Sequence, residues 1–323
     1  MRITFALKWP LGSLTSKGNV VGDELYATSL SAAVMRTGLV SDCRLSAPGT
    51  PVAAHQDVVV YFNDSPPDPK TARAHVLYLQ NGYGDGSYRR LSLLRRRGYH
   101  GYALISRMLL DRHLEDGYSG LWMPFGVDLQ QFYPRPRDPR FTHEVAYIGN
   151  DIKGADRTMR FLHPATRFDF GLYGNWQRPK PLPRLLDSLR LAPLPPYKAD
   201  FARISRGKIS QQEVPSLYSS AAINLNCTLQ DCVDWDVLTL RSLEVLACGG
   251  FLISDDVPSL RDALGSAVVV TNGGSDLVDK LEYYLSHSKE RMERAALGPA
   301  LAGKFSVDAM ARRFVEYLQE LLS

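Results

Sequence analysis

A chain of 323 residues holds material for about two domains of ~150 residues each. Its 45% hydrophobic and 22% charged residues fit an ordinary globular protein and exclude disordered, collagen-like and membrane-spanning classes. A net charge of +4 is too mild to point to nucleic acid, which is not expected as a partner.

The first eight residues, MRITFALK, are far too short for a signal-peptide core and read as a strand over 3–7. A helix is predicted from Asp23 to Thr37, its apolar face set by Leu25, Leu30, Ala33 and Val34. Strands follow at 58–62, 76–80, 103–106 and 121–125. The second half starts afresh at 145–149 and continues through strands at 168–173, 222–226, 251–254 and 268–271. A last helix is predicted over 307–322. Strands alternating with helices predict an α/β protein with parallel sheets. Residues 133–140, with three prolines among alternating charges, have linker composition. This divides the chain into two doubly wound, Rossmann-like domains, 1–135 and 141–305, followed by the helix in 306–323. Ligands of open α/β sheets bind beyond the carboxyl ends of the strands, so a cleft between the two domains is the expected site. A second proline-rich stretch, 178–197, reads as a loop holding one helix.

Cys43, Cys227, Cys232 and Cys248 show neither CxxC spacing nor accompanying histidines. They read as free thiols of a cytoplasmic protein, and no metal site is expected. His100 and His113 have no visible partners and read as structural.

The densest chemistry lies between Asp236 and Asp256. Asp236 and Glu244 stand eight residues apart in a helical run, a little over two turns at ~3.6 residues per turn, which predicts both carboxylates on one face. Ionised carboxylates accept from the hydroxyls of a ribose or hexose. Gly249-Gly250 then stops the helix and a strand begins at once. Asp255-Asp256 has no third ligand near it in sequence, so a magnesium site is not expected there.

The motifs resemble a family. GVDLQQF at 126–132 is similar to the Gly-Val-Asp-x-x-x-Phe near the interdomain crossing of many group 1 GT-B glycosyltransferases. YIGN (147–150), LYGNW (172–176), GKI (207–209), LY (217–218), INLN (223–226) and RSLEVLACGG (241–250) follow in the order of the CgeB-like, spore-maturation type. The resemblance implies a GT-B fold, with the helix in 306–323 crossing back onto the first domain, and a glycosyltransferase that takes a nucleotide-diphosphate sugar as donor in the C-terminal domain. It implies an acceptor (glycan, lipid-linked or small molecule) on the N-terminal domain, and neither metal nor cofactor. Glu244 matches the family acid that holds the ribose hydroxyls; Asp236 matches its partner, with aspartate for glutamate. The acid pair resembles that of retaining enzymes. Lys153, Arg157 and Arg241 are the cations expected for the diphosphate, Lys208 and Ile209 are expected to flank the base, and Asn226 ends a strand at the cleft. Gly249 is counted with these donor-binding residues.

On the acceptor side, Asp23, Glu24 and Asp85 are candidate general bases. Asp23 also reads as the N-cap of its helix, whose first amides suit the β-phosphate leaving group. Asp85 lies in the glycine-rich loop NGYGDG at 81–86. The arginines between Arg89 and Arg97, interleaved with leucines, read as a solvated helix face, as a peripheral contact with an anionic membrane, or as a grip on a phosphorylated or nucleic-acid acceptor. Two other functions fit the same motifs: a GT-B nucleotide-sugar epimerase, and a spore-coat scaffold with a relic donor site.

Overall fold

The computed structural model describes residues 1–13, 22–62, 64–176 and 194–323. The expected loop at 178–197 lies mostly outside them. The chain divides into two compact units. The first comprises Met1–Asp128, Asp234–Thr239 and Lys304–Ser323; the second comprises Leu129–Val233 and Leu240–Gly303.

In the first unit six strands form one sheet: β1 (Arg2–Ala6), β2 (Asp42–Ser46), β3 (Gln56–Tyr61), β4 (Ala72–Leu79), β5 (Gly101–Leu104) and β6 (Leu121–Trp122). Their order is β2-β1-β3-β4-β5-β6, and every pairing is parallel. β3 and β4 are buried on both faces, as continuous apolar runs in parallel sheets are. β2 has no counterpart among the expected strands. Its sequence, Asp-Cys-Arg-Leu-Ser, is short, polar and half-exposed, as suits a sheet edge.

The helix Gly22–Arg36 follows β1 and packs against the last helix, Val307–Leu322, which buries Met310, Phe314, Val315 and Leu318 in this unit. Ser306 caps that last helix by accepting from the Ala309 N–H at 3.2 Å. Its first turn lies against Gly126, where an added Cβ would stand 2.7 Å from the Val307 Cα. Thus the Gly-Val-Asp segment is glycine-led because the last helix docks on its backbone.

In the second unit β7 (Val145–Ile148), β8 (Phe170–Tyr173), β9 (Ile223–Asn226), β10 (Leu252–Asp255) and β11 (Val268–Thr271) run parallel in the order β11-β10-β9-β7-β8. Tyr147, Leu172, Leu225 and Ile253 lie in its core, joined by Trp176, Phe201 and Phe251. Gly174 follows β8 at φ +119°, and a Cβ there would stand 2.0 Å from the Gly149 carbonyl oxygen. That contact clamps the loop leaving β7 against β8. Gly174→Ala must break it and is expected to lower unfolding stability by about 2 kcal/mol or more. Urea denaturation checks this, and an unchanged midpoint would contradict the clamp.

Candidate active site

In the second sheet β7 and β9 are neighbours, and the chain builds outward from them in opposite directions. This is the topological switch point at which open α/β sheets leave a crevice beyond their carboxyl ends. The loop after β7 brings Gly149 and Lys153 there, and the end of β9 brings Asn226. The helix Leu240–Ala247 returns toward the sheet's amino edge, so Arg241 and Glu244 in its first turns stand near the carboxyl edge.

Arg241 is held on several sides. Its Nη1 donates to Asn226 Oδ1 at 3.0 Å, and its guanidinium lies over the Tyr147 ring, 4.9 Å from the centroid. Gly149 carries no side chain because a Cβ would stand 2.7 Å from the Tyr147 hydroxyl and 3.0 Å from Arg241 Nη2. Glu244 accepts a long hydrogen bond from the Tyr218 hydroxyl at 3.4 Å and forms no ion pair with another described residue. Burial pushes its carboxyl up to about 7, against the lowering pull of Arg241. Lys153 is pushed down to about 8, by burial first and then by the charge of Arg241. Burial likewise raises the Cys227 thiol to about 11, so at neutral pH it adds no negative charge beside these cations. Two cations crowded without a close counter-ion among the described residues, beside a carboxyl pushed up to about 7, can accept a diphosphate and a diol.

Several expected donor residues are placed otherwise. Asp236 is not on the helix with Glu244. The helix begins at Leu240, and Asp236 has φ +52°, a left-handed backbone that no α-helix accommodates. Its carbonyl accepts from the Arg107 N–H at 3.2 Å in the first unit, whereas Glu244 belongs to the second. The single helical face expected for the acid pair is therefore absent. Arg157 is committed to the fold: it pairs with buried Asp255, and its Nε donates to the Thr228 carbonyl at 2.7 Å. Asp255 also accepts from the Thr228 N–H at 2.8 Å, which occupies it as a structural anchor. Asn226, 2% exposed, spends its Nδ2 on Thr228 and Ser254 and its Oδ1 on Arg241, so it positions that arginine.

Lys208 and Ile209 follow a helix, Tyr197–Ile204. Their segment lies along the end of β8, where the Gly207 carbonyl accepts from the Gly174 N–H at 2.8 Å; Lys208 is exposed and Ile209 packs on a buried cluster. Gly249 takes φ +67° at the far end of the acid helix, with Gly250 N–H bonded to the Val245 carbonyl at 2.9 Å. It is a left-handed helix stop at the sheet's amino edge, away from the switch point. Among the described residues no group of histidine, cysteine, aspartate and glutamate could hold a metal ion.

In the first unit the switch point falls between β1 and β3. A pocket of about 260 Å³ opens there, with Lys8 and Trp9 after β1, Phe62 after β3, and Gln80, Asn81 and Tyr83 after β4. Asp23, in the first turn of its helix, and Phe125 complete the wall. Burial raises the Asp23 carboxyl and Lys8 opposes that rise. Glu24 points elsewhere: it accepts from Gly12 N–H at 2.7 Å and Ser13 N–H at 2.8 Å, and the Ser13 hydroxyl chiefly holds its carboxyl below the usual range. It ties down the loop after β1, and a carboxylate so fully engaged is a poor base. Asp85 is exposed and absent from the pocket wall.

The basic run is also largely internal. Leu91 and Leu94 are buried in the core, Arg90 pairs with Asp64, Arg95 with Asp116, and Arg97 donates to the Asp64 carbonyl. Only Arg89, Leu93 and Arg96 of its middle face solvent without such partners, so it lacks the free apolar face of a membrane-lying helix. No helix of the described residues is long and apolar enough to cross a membrane.

Sequence reasoning missed Tyr147 and Tyr218, which line Arg241 and Glu244. Both sit in apolar runs where a tyrosine reads as core. It also passed over Lys8, Trp9 and Gln80, although each follows a strand as pocket residues do.

The fold is shared with solved glycosyltransferase structures. A sucrose-phosphate synthase of Thermosynechococcus elongatus superposes with a TM-score of 0.65 at 12% identity over 99% of both chains. HepE of Anabaena, solved with UDP and glucose, gives 0.67 at 12% identity over 99% of this chain and all of its own. AviGT4, a glycosyltransferase involved in avilamycin A biosynthesis, gives 0.61 at 16% identity over 100% of this chain and 98% of its own. Residues 157–315 match the family model described as glycosyl transferase-like. The chain has the GT-B fold, and its second half is glycosyl transferase-like. No curated protein matches it. The family match spans Asn226, Arg241 and Glu244 and leaves Lys153 just outside.

The two cation assignments separate by experiment. Arg157→Ala strands the buried Asp255 carboxylate and is expected to cost the glycosyltransferase ~3–5 kcal/mol of stability. Chemical denaturation measures this. Unchanged stability with lost nucleotide binding would return Arg157 to the donor site.

Proposed function

We propose that this glycosyltransferase moves a sugar from a uridine-diphosphate sugar to a hydroxyl of a glycan, lipid-linked or small-molecule acceptor. Lys153 and Arg241 receive the diphosphate and Glu244 the ribose hydroxyls. The observation that carries this reading is the meeting of those three groups at the β7/β9 switch point, with Glu244 held near neutrality and no close ion pair satisfying them. The uridine base is favoured because HepE was solved with UDP and with UDP-glucose.

The proposed transfer needs no metal, since Lys153 and Arg241 supply the positive charge that a divalent ion would otherwise bring. Retention of anomeric configuration is proposed from the resemblance of the Asp236 and Glu244 pair to the acid pair of retaining enzymes. That resemblance is one of sequence spacing, because Asp236 stands off the helix that carries Glu244. The CgeB-like subtype and a cytoplasmic setting belong to the same proposal and rest on the motif order and the unpaired cysteines.

Thermal unfolding with UDP, GDP, TDP and CDP tests the donor site. UDP at 100 times its dissociation constant is expected to add ~2.7 kcal/mol of stability. Lys153→Ala and Glu244→Ala are each expected to weaken UDP binding at least tenfold in the same assay. Equal stabilisation of parent and both variants would show that the nucleotide binds elsewhere.

A further inference from the structure

His113 is fully buried in the first unit, and its partners fix where its proton sits. Arg95 Nε lies 3.1 Å from Nδ1, and a guanidinium can only donate, so Nδ1 is the bare acceptor. Nε2 lies 3.1 Å from the Ser119 carbonyl, which can only accept, so Nε2 carries the proton. The ring is therefore the neutral Nε2–H tautomer. His143 and His163 differ, because each sets a ring nitrogen against a carboxylate, Asp169 and Asp200, that favours a charged ring.

A proton added at Nδ1 turns that acceptor into a donor and sets a second positive charge against Arg95, whose side chain is itself only 6% exposed. The other neighbours bring little relief. Tyr102 of β5 and Tyr118 pack on the ring with centroids 4.6 and 5.3 Å away, and a phenol is no counter-charge. Asp116 is a charge that favours a protonated ring, but its Oδ2 already accepts from Arg95 Nη1 and from the Tyr88 hydroxyl at 2.7 Å. Burial first, and Arg95 after it, hold the titration of the ring below its usual value, against the Ser119 carbonyl and Asp116.

The contact ties together two elements of the first unit. Arg95 opens the turn Arg95–Arg97 that ends the helix Ser87–Leu94, and His113 lies in the last turn of the helix Arg107–Glu115. That second helix also seats residues 234–239, which belong to the same unit. Its N-cap, Ser106, donates to the Trp235 carbonyl, and the Arg112 guanidinium lies 5.2 Å from the Trp235 ring centroid. The Arg107 N–H bonds the Asp236 carbonyl at 3.2 Å. Residues 234–239 lead directly into the helix Leu240–Ala247 that bears Arg241 and Glu244. We propose that the Arg95–His113 contact is a pH-sensitive latch, closed while His113 is neutral and opened by its protonation, which fixes the helix Arg107–Glu115 and the segment 234–239 seated on it.

Nitrogen-15 NMR of the imidazoles in the full chain tests the closed state. His113 should show the Nε2–H tautomer near neutral pH and titrate below the ~6.5 usual for histidine. Because the folded value is the lower one, the contribution of the latch is complete above ~6.5 and is lost as pH falls below it. Hydrogen exchange, corrected for the intrinsic effect of pH, tests the opening. Amides in 107–120 and 234–239 should lose protection about tenfold or more between about pH 7.5 and about pH 5. His113→Gln does not titrate, yet its carbonyl can accept from Arg95 and its amide can donate to Ser119, so it should keep that protection at both pH values. Arg95→Leu removes the cation and should raise the titration midpoint of His113. An Nδ1–H tautomer, a midpoint at or above ~6.5, or protection in the parent that does not change with pH would overturn the proposal. So would an equal loss of protection in the parent and His113→Gln. Should His113→Gln fail to fold, the tautomer, midpoint and pH-dependent protection of the parent still decide.

Discussion

At the carboxyl edge of the second sheet, Lys153, Arg157, Arg241, Asp255 and Glu244 crowd into one region with a single close ion pair among them, Arg157 with Asp255. Charges taken from water are costly unless paired, and the structure answers that cost in two ways. Asp255 is fully satisfied by Arg157 and Thr228, which locks the ends of β9 and β10 together. The remaining three are left short of partners. Lys153 and Glu244 respond by shifting toward their neutral forms, while Arg241, unable to lose its proton, is cushioned by the Tyr147 ring and Asn226. In the proposed function a ligand carrying a diphosphate and a diol would resolve all three at once, so the site would favour such a ligand.

The same sheet logic governs both units. Each has its switch point between its first and third strands in chain order, and each gathers its polar side chains at the carboxyl edge there. Glycines occur where backbones must touch. Gly174 admits the β7 loop, Gly149 admits Arg241, and Gly126 admits the last helix. The two units differ in electrostatics: the second concentrates cations around one acid, whereas the first balances Lys8 against Asp23 within aromatic walls.

Much of this was legible in the chain. The apolar runs that became β3, β4, β7, β9, β10 and β11 announced a parallel α/β protein, and the resemblance announced the GT-B fold. What stayed hidden depended on backbone conformation and on partners distant in sequence. Asp236 sits in an unbroken helical pattern, and nothing local signals its left-handed backbone. Lys153 and Arg157 are equivalent by sequence; only the position of Asp255, far along the chain, makes one structural and leaves the other for a ligand. Glu24 looked like a base until the amides of Gly12 and Ser13 filled its oxygens. β2 escaped notice because an edge strand need not be apolar.

The central claim is that Glu244, held near neutrality, must ionise to accept the donor's ribose. Calorimetric titration with UDP-glucose in buffers of different ionisation enthalpy counts the protons exchanged, and the diphosphate diester itself does not titrate in this range. Because the hydroxyls bind the ionised carboxyl and its free-state value is about 7, binding should release close to one proton at pH 6. The release should fall as pH rises through 7, and affinity should rise with it. Lys153, pulled back toward its charged form by the diphosphate, should add proton uptake near pH 8. Glu244→Gln should abolish the release at pH 6 and keep the uptake. Equal proton release at pH 6 from the parent and Glu244→Gln would contradict the account.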